Sequence, residues 1–218
     1  MSLTRILQFA AAACTALALS VTHAAGTAED AVRELQQQWE IIKYRTPAGQ
    51  HEKMFEDLAA RAHAAVEAFP DRPETMVWEG IILSSWAGAK GGMGALGLAK
   101  KAKARYEAAM KIKPDVLDGS AYNSLGVLYY KVPGWPVGFG NDKKARELLQ
   151  KALAVNPQGI DPNYFYGEYL FEQGKPAEAI TYLQRALQAP ARPGREIADT
   201  GRREEARKLL DEARRKAG

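Results

Sequence analysis

The sequence is poor in the residues that carry most covalent and metal chemistry. Among 218 residues there is one cysteine, Cys14, and only His51 and His63 stand beyond the first 25 positions. Cys14 sits in an N-terminal apolar run. Downstream of that run the chain has no thiol, which excludes disulfides, a thiolate nucleophile and Cys-ligated zinc. His51 and His63 fall on one expected helix. Their spacing separates them by roughly 18 Å along its axis, too far to share a metal within one chain. Both read as solvated surface histidines. GxSxG, HExxH, GxxxxGK[ST] and a two-carboxylate constellation are all absent. Asp161, Glu168, Glu172 and Glu178 read as ordinary helix-surface or cap residues. The expectation is a non-enzymatic protein with no cofactor and no metal.

A broad basic face is also lacking. The excess positive charge lies in residues 191–218, which hold nine Lys/Arg against six Asp/Glu, and the rest of the chain is close to neutral. That argues against nucleic acid. Long apolar runs are absent after the first. Residues 1–25 carry Arg5, then an apolar stretch from Ile6 to Val21, then Thr22-His23-Ala24-Ala25. This is the order of a cleavable secretory signal peptide, with cleavage expected after Ala24 and an exported protein as the product. The stretch is shorter than the roughly 20 residues of a membrane span. A membrane anchor and lipid attachment at Cys14 are the weaker alternatives, the latter because the apolar run continues past the cysteine.

What the chain does have is a repeat. Ala102, Tyr106, Ala109 and Pro114 recur as Ala145, Leu149, Ala152 and Pro157 without a gap. A third copy is Ala179, Leu183 and Ala186, with Pro190 one residue early, and a weak fourth is Leu58, Ala62, Ala65 and Pro70. Offsets of four and seven share one helix face, and the proline stops each helix. Another helix precedes each copy, as in Tyr122, Leu125, Gly126, Tyr129 and in Asn163, Tyr166, Gly167, Leu170. Further stripes at Val32, Leu35, Trp39, Ile42 and at Phe55 to Phe69 add an N-terminal pair, with TPAG at 46–49 as its turn. Helices paired in this way resemble the tetratricopeptide repeat. The expected fold is all-α: one domain over 25–218, a tetratricopeptide-like α-solenoid of four helical hairpins plus a C-terminal capping helix at 202–216.

The spacing between paired helices exceeds the standard repeat in two units. Seven residues, GWPVGFG, are added between Tyr129 and Ala145, and ten, roughly AKGGMGALGL, between Leu83 and Ala102. Both additions are expected as loops, side by side on one face. Insertions of this kind often form a binding face. Trp135 and Phe139 in the first loop are read either as a contact patch or as a cover over the core. In the second, glycines serve tight turning, and a phosphate cradle is not expected. Asn141 or Asp142 should cap the helix that follows the first loop.

VPGWPVGFG, then ARELLQKALAVNP, GIDPNYFYGEYLFEQG, APARPGRE and GRREEARKLL, in that order, resemble the T-component family of TRAP transporters. The likeness runs from about Gly91 to Leu210 and is strongest over 119–196. It implies a periplasmic tetratricopeptide-like protein that binds the periplasmic substrate-binding protein of a tripartite, ATP-independent transporter and handles a small apolar ligand. The alternative is a general cell-envelope adaptor that binds proteins and no small molecule. Homo-oligomer formation stays open under both.

Repeat geometry places first-helix positions on the concave face. These are Val77, Trp78 and Ile81; Asn123, Ser124, Val127 and Tyr130; Tyr164, Phe165, Glu168 and Phe171. The expected partner or ligand residues are Trp78, Ile81, Asn123, Val127 and Tyr130, with Tyr164, Phe165 and Phe171, plus Trp135 and Phe139 in the loop. Such a lining is aromatic and apolar, suited to an extended segment or an apolar molecule. A clamp for C-terminal carboxylates needs several Lys, Arg and Asn, and only Asn123 qualifies among these positions, so capture of chaperone tails is not expected.

Overall fold

The computed structural model describes residues 26–218. The expected signal peptide, its cleavage site and Cys14 lie outside the described residues. Helices follow one another as α1 Ala28–Arg45, α2 His51–Ala68, α3 Pro73–Lys90, α4 Gly92–Ile112 and α5 Val116–Lys131. Then come α6 Asp142–Val155, α7 Ile160–Glu172, α8 Pro176–Gln188 and α9 Glu196–Ala217. Pairs α1/α2, α3/α4, α5/α6 and α7/α8 are antiparallel hairpins, and α9 packs on α8 and α7. None of the described helices is long and apolar enough to cross a membrane.

Each hairpin is built as the repeat positions dictate. Ala102, Tyr106, Ala109, Ala145, Leu149, Ala179, Leu183 and Ala186 are fully buried. The four terminal prolines each stand two residues past a helix end, after Ala68, Ile112, Val155 and Gln188. Gly126 and Gly167 have the same job in successive units. A Cβ on Gly126 would come within 2.8 Å of Leu149 Cγ, and one on Gly167 within 3.0 Å of Leu183 Cγ. The paired helices approach across these glycines, and the bulky repeat residue fills the space a side chain would have taken.

Side-chain caps set the starts of two helices, α1 and α6. Thr27 and Asp30 form a reciprocal capping box at α1. Asn141, of the two residues expected, caps α6, its Oδ1 accepting from Lys144 N–H at 2.9 Å. Replacing it with alanine is expected to cost about 1 kcal/mol and lower Tm by about 2–4 °C, read in a thermal melt. An unchanged Tm would show that the bond contributes nothing.

The two additions differ. Residues 132–141 form a true loop, closed by Asn141 N–H on Tyr129 C=O (2.8 Å) and Gly140 N–H on Pro133 C=O (2.9 Å). The second addition is helical except at Gly91. Helix α3 continues to Lys90, and the turn shrinks to Gly91 and Gly92, both at positive φ (64° and 58°). The expected loop at 87–98 is therefore corrected to a taller hairpin: α3 and α4 have 18 and 21 residues, against 13 each in α7 and α8. A helical glycine costs about 1 kcal/mol relative to alanine, which packing of Leu98 and Ala99 in the core outweighs. The additions do lie side by side: a Cβ on Gly138 would come within 3.4 Å of Leu96 Cδ1 in α4, and Leu96 lines one pocket with Val132, Pro133 and Val137.

Helix α9 is more than a cap, because it returns to the first helix. Glu40 Oε2 accepts from Ala198 N–H (3.2 Å) and from Arg195 Nε (3.4 Å), and Tyr44 donates to Glu205 (3.3 Å).

Candidate functional site

The concave side carries a cleft of about 310 Å³. Of the residues expected there, Trp78, Ile81, Asn123, Val127, Tyr164 and Phe165 line it. Val77 is fully buried behind them. Tyr130 is turned aside, donating to Glu168 Oε2 at 2.5 Å and packing edge-on to Tyr169. Phe171 packs on the core at the far end of α7, with Lys216 Nζ 4.4 Å from its ring centre. In the loop the two aromatics part company. Phe139 covers the core, edge-on to Tyr129 at 5.6 Å, whereas Trp135 is 90% exposed.

The cleft is far more charged than the first helices alone imply. Lys43 comes from α1, Lys131 from α5, Arg192 and Arg195 from the segment before α9, and Arg202 from α9 itself. Asp161, Glu168 and Glu205 answer them. Asp161 and Glu168 are thus part-buried, ion-paired groups and not free surface residues. Arg192 donates to Asp161 (2.6 Å) and Asp199 (2.7 Å), and Arg202 to Asp161 (2.9 Å) and Glu205 (2.6 Å). Burial raises the Asp161 carboxyl, but Arg192 and Arg202 outweigh it and hold it down at about 2. Arg202 is also clasped by the rings of Tyr164 (4.5 Å) and Phe165 (4.3 Å). Burial pushes the Tyr164 hydroxyl above its usual range, and the nearby Glu168 carboxylate adds to it.

Reading along first helices could not reveal these cations. They arrive because α9 closes back on α1, and nothing in a repeat pattern marks that closure. Arg202, the first residue of the expected capping helix, is 7% exposed.

Two polar atoms of the floor have no partner among the described residues, Trp78 Nε1 and Asn123 Oδ1. An unmatched buried group of this kind costs about 1–3 kcal/mol.

The cleft runs into a second, apolar chamber of about 1180 Å³. Ser84, Ser85, Val127 and Leu128 line both, as do Lys43 and Lys131 at the junction. The chamber's walls are the tall α3/α4 hairpin on one side, with Ala87, Ala95 and Leu96, and the loop on the other, with Val132, Pro133 and Val137. His51 also lines it, half-buried, its ring edge-on to Phe55 and its Nε2 on Thr46 C=O at 2.9 Å. It is therefore a wall residue and not a solvated one. His63 is the exposed member of the pair, beside Glu67 and Glu79.

This architecture is a tetratricopeptide-type α-solenoid. A tetratricopeptide repeat family model matches residues 140–195, from α6 through α8. The crystal structure of TTC0263, a thermophilic TPR protein in Thermus thermophilus, superposes with a TM-score of 0.56. It is 18% identical, over 88% of this chain and 92% of that one. A crystal structure of MamA aligns over 79% of this chain and 95% of that one, at a TM-score of 0.44 and 19% identity. No curated protein matches the sequence. Tetratricopeptide proteins are in general non-enzymatic scaffolds that bind protein partners, and no catalytic family is indicated.

Proposed function

We propose that the protein is a non-enzymatic periplasmic binding and scaffold protein, the T component that assists a TRAP-type, tripartite ATP-independent transporter. The observation that carries this reading is the concave cleft opening into an apolar chamber of about 1180 Å³. Small-molecule sites are concave, mostly apolar cavities of roughly 300–1,000 Å³ with a few placed polar groups. The resemblance of the loop and the last repeats to the T-component family supplies the transporter, and the N-terminal export pattern supplies the compartment. Native mass spectrometry of the gently purified protein is expected to show a bound small molecule. A clean apo mass would overturn the ligand-handling part.

One observation favours a second reading, a general envelope adaptor without a small ligand. Trp135 and Val137 are 90% and 66% exposed on a loop held by its own backbone bonds. A large aromatic on a preorganised loop is a strong anchor for a protein partner. Under both readings Trp135 docks a protein, in the first case the substrate-binding protein of the transporter. Trp135→Ala is expected to weaken that capture by about tenfold or more while leaving Tm unchanged, since the side chain buries little within the chain. Capture at wild-type strength would remove Trp135 from the interface.

A further inference from the structure

Arg195 enters the cleft at the N-terminal end of α9 and lies over Trp78, its guanidinium carbon 5.2 Å from the ring centre. Only its Nε finds an acceptor, Glu40 Oε2, at a long 3.4 Å, and that oxygen also takes Ala198 N–H. Among the described residues its two terminal nitrogens have no acceptor. The neighbouring arginines differ: Arg192 is held by two carboxylates and so is Arg202. Burial and the nearby Arg192 press Arg195 below the usual arginine range, the direction expected of a cation short of counter-charge.

The same cleft holds the two orphaned groups of the floor. Trp78 and Asn123 are 4% and 5% exposed, line the cleft, and leave an indole N–H and an amide oxygen unmatched. A side-chain amide offers a donor at one end and an acceptor at the other, so Asn123 can serve a head group of either kind. Each cleft carboxylate is already engaged by a cation. Asp161 holds two arginines, Glu168 takes Tyr130, Tyr164 and Lys131, and Glu205 takes Tyr44, Arg202 and Lys43. In the adjoining chamber the ionisable lining groups are Lys43, Lys131 and His51, and no carboxylate among the described residues lines it.

We propose that cleft and chamber form one site for a single-chain amphiphilic anion, a long-chain monocarboxylate, with its head on Arg195 and its chain in the chamber. This deepens the small-ligand reading of the site and rests on it. The planar guanidinium fork matches a carboxylate through two parallel hydrogen bonds, and its stacking on Trp78 fixes the fork's plane. A cationic head would meet Arg195 with every carboxylate already engaged. An uncharged head would leave the fork without an acceptor as strong as a carboxylate. The chain passes Lys43 and Lys131, each paired with a carboxylate, into walls that offer mostly methyl and ring carbon.

Calorimetric titration of the delipidated protein with dodecanoate, dodecanol and dodecyltrimethylammonium, each below its micelle-forming concentration, tests this. Dodecanoate is expected to bind once per chain, at least about tenfold more tightly than either of the others. Arg195→Met, which keeps an apolar stem over Trp78, is expected to weaken dodecanoate by about tenfold and dodecanol by less than about threefold. Equal affinity for dodecanoate and dodecanol would overturn the anionic head while leaving an apolar-ligand site standing. Failure of all three to bind would remove both. The comparison of head groups uses the unaltered protein, so it decides even if the variant does not fold.

Discussion

Tyr106→Ala is expected to destabilise the protein by about 3–5 kcal/mol, the cost of emptying a fully buried aromatic site. Tyr106 is 0% exposed and sits at the bulky position of the α4 repeat. Its ring lies directly under Gly80 of α3, so close that a Cβ there would come within 2.5 Å of the ring edge. Its hydroxyl meets Ser84 at 3.0 Å, and Ser84 lines both the cleft and the chamber. Truncation removes the contact that sets the spacing of α3 and α4 and leaves a cavity that two rigid helices cannot fill. Tyr106→Phe separates the contributions: it keeps the ring and loses one hydrogen bond, at about 1 kcal/mol. Urea unfolding of both variants measures the pair. A loss below about 1.5 kcal/mol for the alanine variant would mean that the hairpin collapses onto the gap, contrary to this account.

Asp161→Asn is expected to cost about 2–4 kcal/mol at pH 7. The carboxylate is the shared acceptor of Arg192 and Arg202, and an amide of the same shape leaves both cations undercompensated. The pH dependence follows from the depressed pKa, 3.8 falling to about 2. A group lowered on folding stabilises the native state above its unfolded pKa. That contribution fades as pH falls from about 4 through about 2, where the proton binds in both states. The fall corresponds to about 2 kcal/mol, in line with the lower end of the expected loss. Unfolding free energies of native and variant protein should therefore differ most at about pH 5–7 and converge toward about pH 2. A difference that stays constant with pH would assign the loss to shape and not to charge.

The hairpins are legible in the sequence because each repeats a local demand. Alanine, a bulky residue and alanine at offsets zero, four and seven, followed by proline, leave few alternatives to a packed helix with a fixed end. Their burial at 102, 106, 109, 145, 149, 179, 183 and 186 follows from that. The segment at 87–98 misleads because glycine content signals a turn locally, whereas the outcome is decided by core contacts of Leu98 and Ala99 that no window of sequence contains. The cleft is half legible. Trp78, Ile81, Asn123, Val127, Tyr164 and Phe165 stand where repeat geometry puts them, while Arg192, Arg195, Arg202 and Glu205 belong to segments with no repeat register. Their one signal is the surplus of positive charge confined to residues 191–218.

The return of α9 to α1 changes what kind of object the solenoid is. An open stack of repeats frays from either end, and its stability is close to a sum over neighbouring units. Here the first and last helices share a boundary through contacts spanning 155 to 161 positions of sequence. A hoop of this kind has no end to fray from. Cutting the last helix does not shorten it by one unit but opens it at two faces, and the cleft loses its arginines in the same event. The hoop also forms late, because contacts so distant in sequence come after the local hairpins. Completion of the cleft is then a separate, later event than hairpin formation, and a chain whose ends have not met has hairpins but not the arginine-lined cleft.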